Sequence, residues 1–211
     1  MAIKGLSIPV VAKYKDNGNG SVTYSDGIVA EKAVTYKISV EATENNPLYA
    51  DDDICENEKP RFKTGELTLG TSDFTDKMSL LMLGAKTVQR KLTEGTVSET
   101  VFDDDMAPAE LGFGIIEAHQ INNVDKYKAV ILTRVYFNIP EVDVTTKGES
   151  IEWQTPEITG IISRSAESNE NYKHPWKFEA WTDTKEEALK YLKDVLKVSD
   201  PGVGVLTALS E

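Results

Sequence analysis

The chain has 211 residues, 40% hydrophobic and 27% charged, with a formal net charge of −12 at pH 7, which suits a globular protein with a sizeable core. That charge argues against tight wrapping of nucleic acid, where affinity comes from cations that displace counterions from phosphates. No apolar run approaches the roughly 20 residues that span a bilayer, and the single cysteine, Cys55, allows no internal disulfide and fits a reducing cytoplasm.

The N-terminal "MAIKGLSIPVVAKY" holds a short apolar stretch broken by Lys13, too little for a signal-peptide core, so an unexported protein is expected. Strand patterns at 8–14 and 21–24 flank the turn-rich "KDNGNGS". Over 34–42 the residues Val34, Tyr36, Ile38, Val40 and Ala42 alternate with Thr35, Lys37, Ser39 and Glu41, the period of a half-buried strand. The next stretch, about 43–64, has no periodicity, several charges and two prolines, and reads as a long loop of the kind that is functional or disordered. After a short strand at 66–69, "SDFTDKMSLLMLG" predicts a helix near 73–84, with Asp73 as N-cap, Phe74, Met78, Leu81 and Met82 on one face, and Gly84 as its stop. Further strands are expected at 111–118, 127–139, 150–155, 157–162 and 176–181, with "INNVDK" as a turn. A second helix near 185–198 follows a capping box from Thr184 to Glu187 and shows Ala188, Leu189, Leu192, Val195 and Leu196 as a stripe. The reading is mainly β with flanking helices, one domain over 1–211, and a C-terminal tail at 199–211.

Chemistry is hard to place on this frame. The run "PLYADDDICE" sets three aspartates beside the cysteine, but an EF-hand loop begun at Asp51 would need an oxygen ligand at Cys55, glycine at Glu56 and glutamate at Phe62. The second run, Asp103 to Asp105, fails at Ala107 and Pro108. His119 and His174 sit in no metal-binding or nucleophile-activating pattern, and acidic neighbours disfavour a Cys55 thiolate. No catalytic residue, metal site or cofactor is therefore expected, and the protein reads as a non-enzyme. Trp153, Trp176 and Trp181 leave open a carbohydrate- or surface-binding β-sandwich module, against the simpler reading of packed strand residues.

Several segments in order, "IKGLSIPVVAKY", "LYADDDICE", "GELTLGTSDF", "DDDMAPAELGFGI", "YKAVILTRVYF", "TTKGESIEWQTPEITG" and "WKFEAWTDTKEEALKYL", resemble the major tail proteins of long-tailed, non-contractile bacteriophages of Gram-positive hosts. The resemblance spans nearly the whole chain and contains no catalytic motif. It implies a β-sandwich or partly closed β-barrel of the phage tail tube type, assembling with itself into stacked hexameric rings that form a conduit for DNA ejection. It also implies assembly in the bacterial host cytoplasm, residence in the virion tail, and contact with the tail terminator, distal tail and tape measure proteins. Double-stranded DNA would pass through without tight binding, and no membrane would be engaged. The loop about 43–64 then falls where a ring-stacking loop belongs, ordering as it docks, with Tyr49 as an anchor and Asp51, Asp52 and Asp53 as charge partners. On the same implication Glu41, Glu66 and Glu152, on polar faces of expected strands, would face the lumen. The tail at 199–211 has no place in the family pattern.

Overall fold

In the computed structural model, which describes residues 2–30, 32–142, 144–146 and 154–198, the chain is dominated by strands. In order they are β1 (Ala2–Gly18), β2 (Ser21–Val29), β3 (Ala33–Ala42), β4 (Asn46–Ala50), β5 (Asp53–Glu58), β6 (Phe62–Thr71), β7 (Lys86–Lys91), β8 (Thr96–Val101), β9 (Leu111–Ile121), β10 (Val124–Phe137), β11 (Glu157–Ser163) and β12 (Lys177–Thr182). Between β6 and β7 lies α1, a short α-turn (Asp76–Met78) running on as a π-helical segment (Ser79–Leu83), and α2 (Lys185–Leu196) follows β12.

Eight strands form one antiparallel sheet in the order β2-β1-β9-β10-β11-β6-β3, with β12 added alongside the first part of β10. The end strands β2 and β3 are not hydrogen-bonded to one another, so the sheet is not a closed barrel. It is nonetheless curled, because Leu6 and Ile28 near one end pack in the same core as Tyr36, Ile38 and Leu67 from the other.

Alternation sorts side chains onto two cores. On β10, Val130 and Leu132 enter the first core, with Phe113 and Ile115 of β9 and with Met78, Leu81, Met82 and Leu83 of α1. The neighbours Ala129 and Ile131 face the second core, which α2 covers with Ala188, Leu192 and Leu196. In β1 the phase changes midway: Leu6 and Val11 both join the first core, while Ile8, Val10 and Ala12 join the second. An odd-numbered shift within a period-two strand needs an extra residue, and the β1–β9 register does slip between Ser7 and Val10. Ile8 there has φ 54°, a costly setting for a β-branched residue. The helix α2 sits close because β9 offers Gly112 and Gly114 beneath it. A Cβ at Gly112 would meet the Tyr24 ring at 2.5 Å and Leu196 at 2.7 Å.

Three sequence expectations change. The first helix begins at Asp76, not Asp73, with Thr75 as its uncapped N-cap. Asp73 instead accepts the N–H of Phe74, and the π register widens the turn so that Leu81, Met82 and Leu83 are all buried. Gly84 does stop it, at φ 75°. The stretch 43–64 is not an irregular loop: it carries the β4–β5 hairpin, and its last residues already belong to β6. A second hairpin, β7–β8, was not anticipated at all. Both escape a period-two search because neither face of either hairpin is buried in the core. On β3, Val34 and Val40 are exposed, and of this edge strand Ala33, Tyr36 and Ile38 reach the core. Residues 150–153 of the expected strand at 150–155, and the tail at 199–211, lie outside the described residues.

Candidate functional site

The aspartate run forms a turn. Asp51 and Asp52 have φ of 51° and 63° and connect the paired residues Ala50 and Asp53, the two-residue geometry of a type I′ hairpin. Aspartate tolerates that left-handed region better than most residues. Asp53 completes the turn by accepting the Ile54 N–H at 2.8 Å. The ladder then slips, with Leu48 opposite Glu56 but Tyr49 opposite Ile54, which makes Cys55 a bulge.

The bulge separates two faces. Pro47, Tyr49, Ile54 and Asn57 share one, and Leu48, Ala50, Asp53, Glu56 and Glu58 share the other. Tyr49 is 63% exposed and Ile54 51%, and the hairpin pairs with no other strand among the described residues. One face is thus uncharged and carries Tyr49 and Ile54, while the other carries the acidic residues together with the exposed Leu48. Tyr49 and the aspartates do meet at one tip, but as opposite sides of a ribbon.

Glu41 and Glu66 lie on the outward face of β3 and β6. Register places Ser39 beside Glu66, Glu66 beside Ile161 on β11, and Ile161 beside Tyr136 on β10. Lys37, Thr68 and Thr159 form the next row, and Glu157 stands opposite Gly70. Neither helix covers this face: α1 packs into the first core, and α2 packs on β1, β2, β9, β10 and β12. Glu41 is ion-paired to Lys63 at 2.6 Å, whereas Glu66 pairs with no cation among the described residues. Glu152 lies outside those residues.

A buried polar network joins β3, β9, β10 and β12 without matching any sequence motif. Glu117 and His119 follow Leu111, Phe113 and Ile115 on the inward side of β9 and are 5% and 4% exposed. The Glu117 carboxylate accepts the Tyr36 hydroxyl of β3, meets His119 Nε2 at 2.8 Å and pairs with Lys128 Nζ at 2.9 Å. Lys128 also reaches Glu179 at 3.6 Å, and Glu179 is held by Lys177 at 2.8 Å. Burial pushes the Glu117 carboxyl up, but the hydrogen bonds from Tyr36, Lys128 and His119 and the Lys128 charge outweigh it and hold the group below its ordinary value. Burial, then the hydrogen bond to Glu117, raises the Tyr36 phenol. The inward alternation of "LGFGIIEAHQ" carries the signal that could have located this pair.

The remaining singled-out residues are dispersed. Trp176 stacks on Phe62 with ring centroids 4.6 Å apart, while Trp181 meets the His119 ring edge-on at 4.8 Å, so the two serve different contacts. Trp153 lies outside the described residues. His174 takes φ 51° just before Pro175 and is held by the Ser165 carbonyl at 3.1 Å. Asp103 pairs with Lys86 at 2.6 Å at the base of β7–β8. Among the described residues no His, Cys, Asp or Glu group of three or more is placed to hold a metal ion, and no helix is long and apolar enough to cross a membrane. No family model and no curated protein sequence matches this chain.

Proposed function

We propose that the protein is a self-assembling structural subunit, of the kind that builds the tail tube of long-tailed bacteriophages. Its function on this reading is to stack as hexameric rings into a conduit for DNA. The β4–β5 hairpin carries the proposal. It holds Tyr49 and Ile54 on a face that nothing among the described residues covers, on a two-stranded ladder bulged at Cys55. Exposed large apolar groups grouped on one face mark contact surfaces. A contact between this hairpin and a different surface of the next copy is heterologous and propagates as a filament. The turn and ladder already define the hairpin's shape, so docking would seat a formed element.

The uncovered face around Glu41, Glu66 and Glu157 supports the conduit part of the reading. Its hydroxyls and carboxylates offer phosphates little attraction, and the Lys37 charge is outnumbered. Over a Debye length of about 8 Å, such a wall repels only DNA that drifts close to it.

Negative-stain electron microscopy of the purified chain at high concentration tests assembly, and rings or tubes are expected. Replacing residues 46–58 by a short Gly/Ser linker should preserve the circular dichroism spectrum and abolish tubes. The replacement stops short of Phe62, which stacks on Trp176 in the core. A wild-type chain that stays monomeric at every concentration overturns the proposal.

A further inference from the structure

A cleft of about 380 Å³ lies between β2, the connection from β11 to β12, β12 and α2, away from both hairpins and from the outward sheet face. Its wall is aromatic: Tyr24, Tyr172, Phe178 and Tyr191 line it together with the carboxylate of Glu167. We propose that this cleft binds a small organic cation, an ammonium head carried on a short apolar stem.

Two features set that chemistry. Two of the rings are offered without their polar ends, because the Tyr24 hydroxyl donates to the Thr133 carbonyl at 2.8 Å and the Tyr172 hydroxyl donates to Glu167 Oε1 at 2.7 Å. Tyr172 and Phe178 stand at 65° with centroids 5.4 Å apart, so they form two walls of a corner instead of one flat platform. A cation in such a corner is attracted by the negative faces of the rings. The second feature is charge. Glu167 is half-buried, and among the described residues no Lys or Arg forms an ion pair with it. A neutral apolar ligand would cover that carboxylate without compensating it, whereas a cation compensates it as it enters. The volume suits a head group of a few heavy atoms with part of its stem, at the small end of ligand cavities.

The test is a titration of the full chain, followed by amide chemical shifts at constant ionic strength. The probes are choline, the amide of Nα-acetyl-lysine, and 3,3-dimethylbutan-1-ol, the neutral isostere of choline. Saturable shifts at Glu167, Tyr172 and Tyr191 are expected for at least one cation. Preference for choline points to a quaternary ammonium ligand, and preference for the lysine derivative points to a protein side chain. The neutral isostere should bind at least about tenfold more weakly. Glu167→Gln, which keeps the volume, should weaken the cation by a similar factor and leave the isostere unchanged. Tyr191→Leu should weaken it independently, which keeps the test open if the first variant misfolds. Equal binding of cation and isostere, unchanged binding by folded Glu167→Gln, or no saturable shift at all overturns the proposal.

Discussion

Glu117 is the residue on which the interior electrostatics turn. It is 5% exposed yet carries a neutralised charge, because Lys128 approaches it at 2.9 Å while Tyr36 and His119 occupy its oxygens. Removing the charge by Glu117→Gln leaves a largely buried Lys128 with Glu179 alone at 3.6 Å. The cost should be about 3 kcal/mol in urea unfolding at pH 7. The sign of the pH dependence follows from the lowered carboxyl value. A group depressed in the folded state stabilises above its unfolded value, roughly 4.3, and loses that contribution as pH falls through the folded value. The gap between wild type and Glu117→Gln should therefore narrow progressively below about pH 4. At the other extreme, Tyr24 and Tyr36 both have raised phenols, each chiefly by burial. The unfolded chain then loses protons first, near pH 10, so stability should fall above that point and less steeply in Tyr36→Phe.

Single elements show where short-range rules suffice and where they do not. In α2 the capping box closes as its sequence requires: Glu187 N–H donates to Thr184 Oγ1, and the Glu187 carboxylate receives the Thr184 N–H, both at 3.2 Å. Thr184→Ala should cost about 1 kcal/mol, read from the thermal midpoint. The turn of β4–β5 makes a different demand, for two residues at positive φ. Asp52→Gly relieves that demand and should slow amide exchange in β4 and β5 by about threefold with little change in global stability. Asp52→Pro fixes φ near −65° and should erase protection there. Beneath α2, Gly112→Ala should destabilise by about 2 kcal/mol, since the new methyl meets a ring and a leucine inside 3 Å. Gly114→Ala meets only leucine methyls at 3.0 Å and should cost less.

For the whole molecule, the acidic balance and the uncovered sheet face make one joint prediction. Monomer and assembled protein, mixed with duplex DNA at low salt, should show no micromolar binding. Binding that weakens steeply with added salt would reveal a basic face and remove the conduit reading. What could be read from sequence was whatever depends on neighbours along the chain. The inward alternation of β9, the apolar stripe and cap of α2, the glycine stop at Gly84 and the Asn122–Asn123 turn are all local, and each found its place, whereas the alternation of β3 did so only at Tyr36 and Ile38. The exposure of the acidic run was also legible, because a run of like charge cannot be buried unpaired. The hairpin fold of that region was not, since strands wet on both faces carry no alternating signal. The curl of the sheet, the covering of one face by α2 and the network joining Tyr36 to Glu117 across 81 residues were decided only by tertiary structure. Alternation tells which residues share a face, but not which face of a two-sided sheet will meet which partner. That choice follows from how far the sheet curls and where bulges such as the one at Ile8 switch its phase, and both are set by contacts between segments distant in sequence.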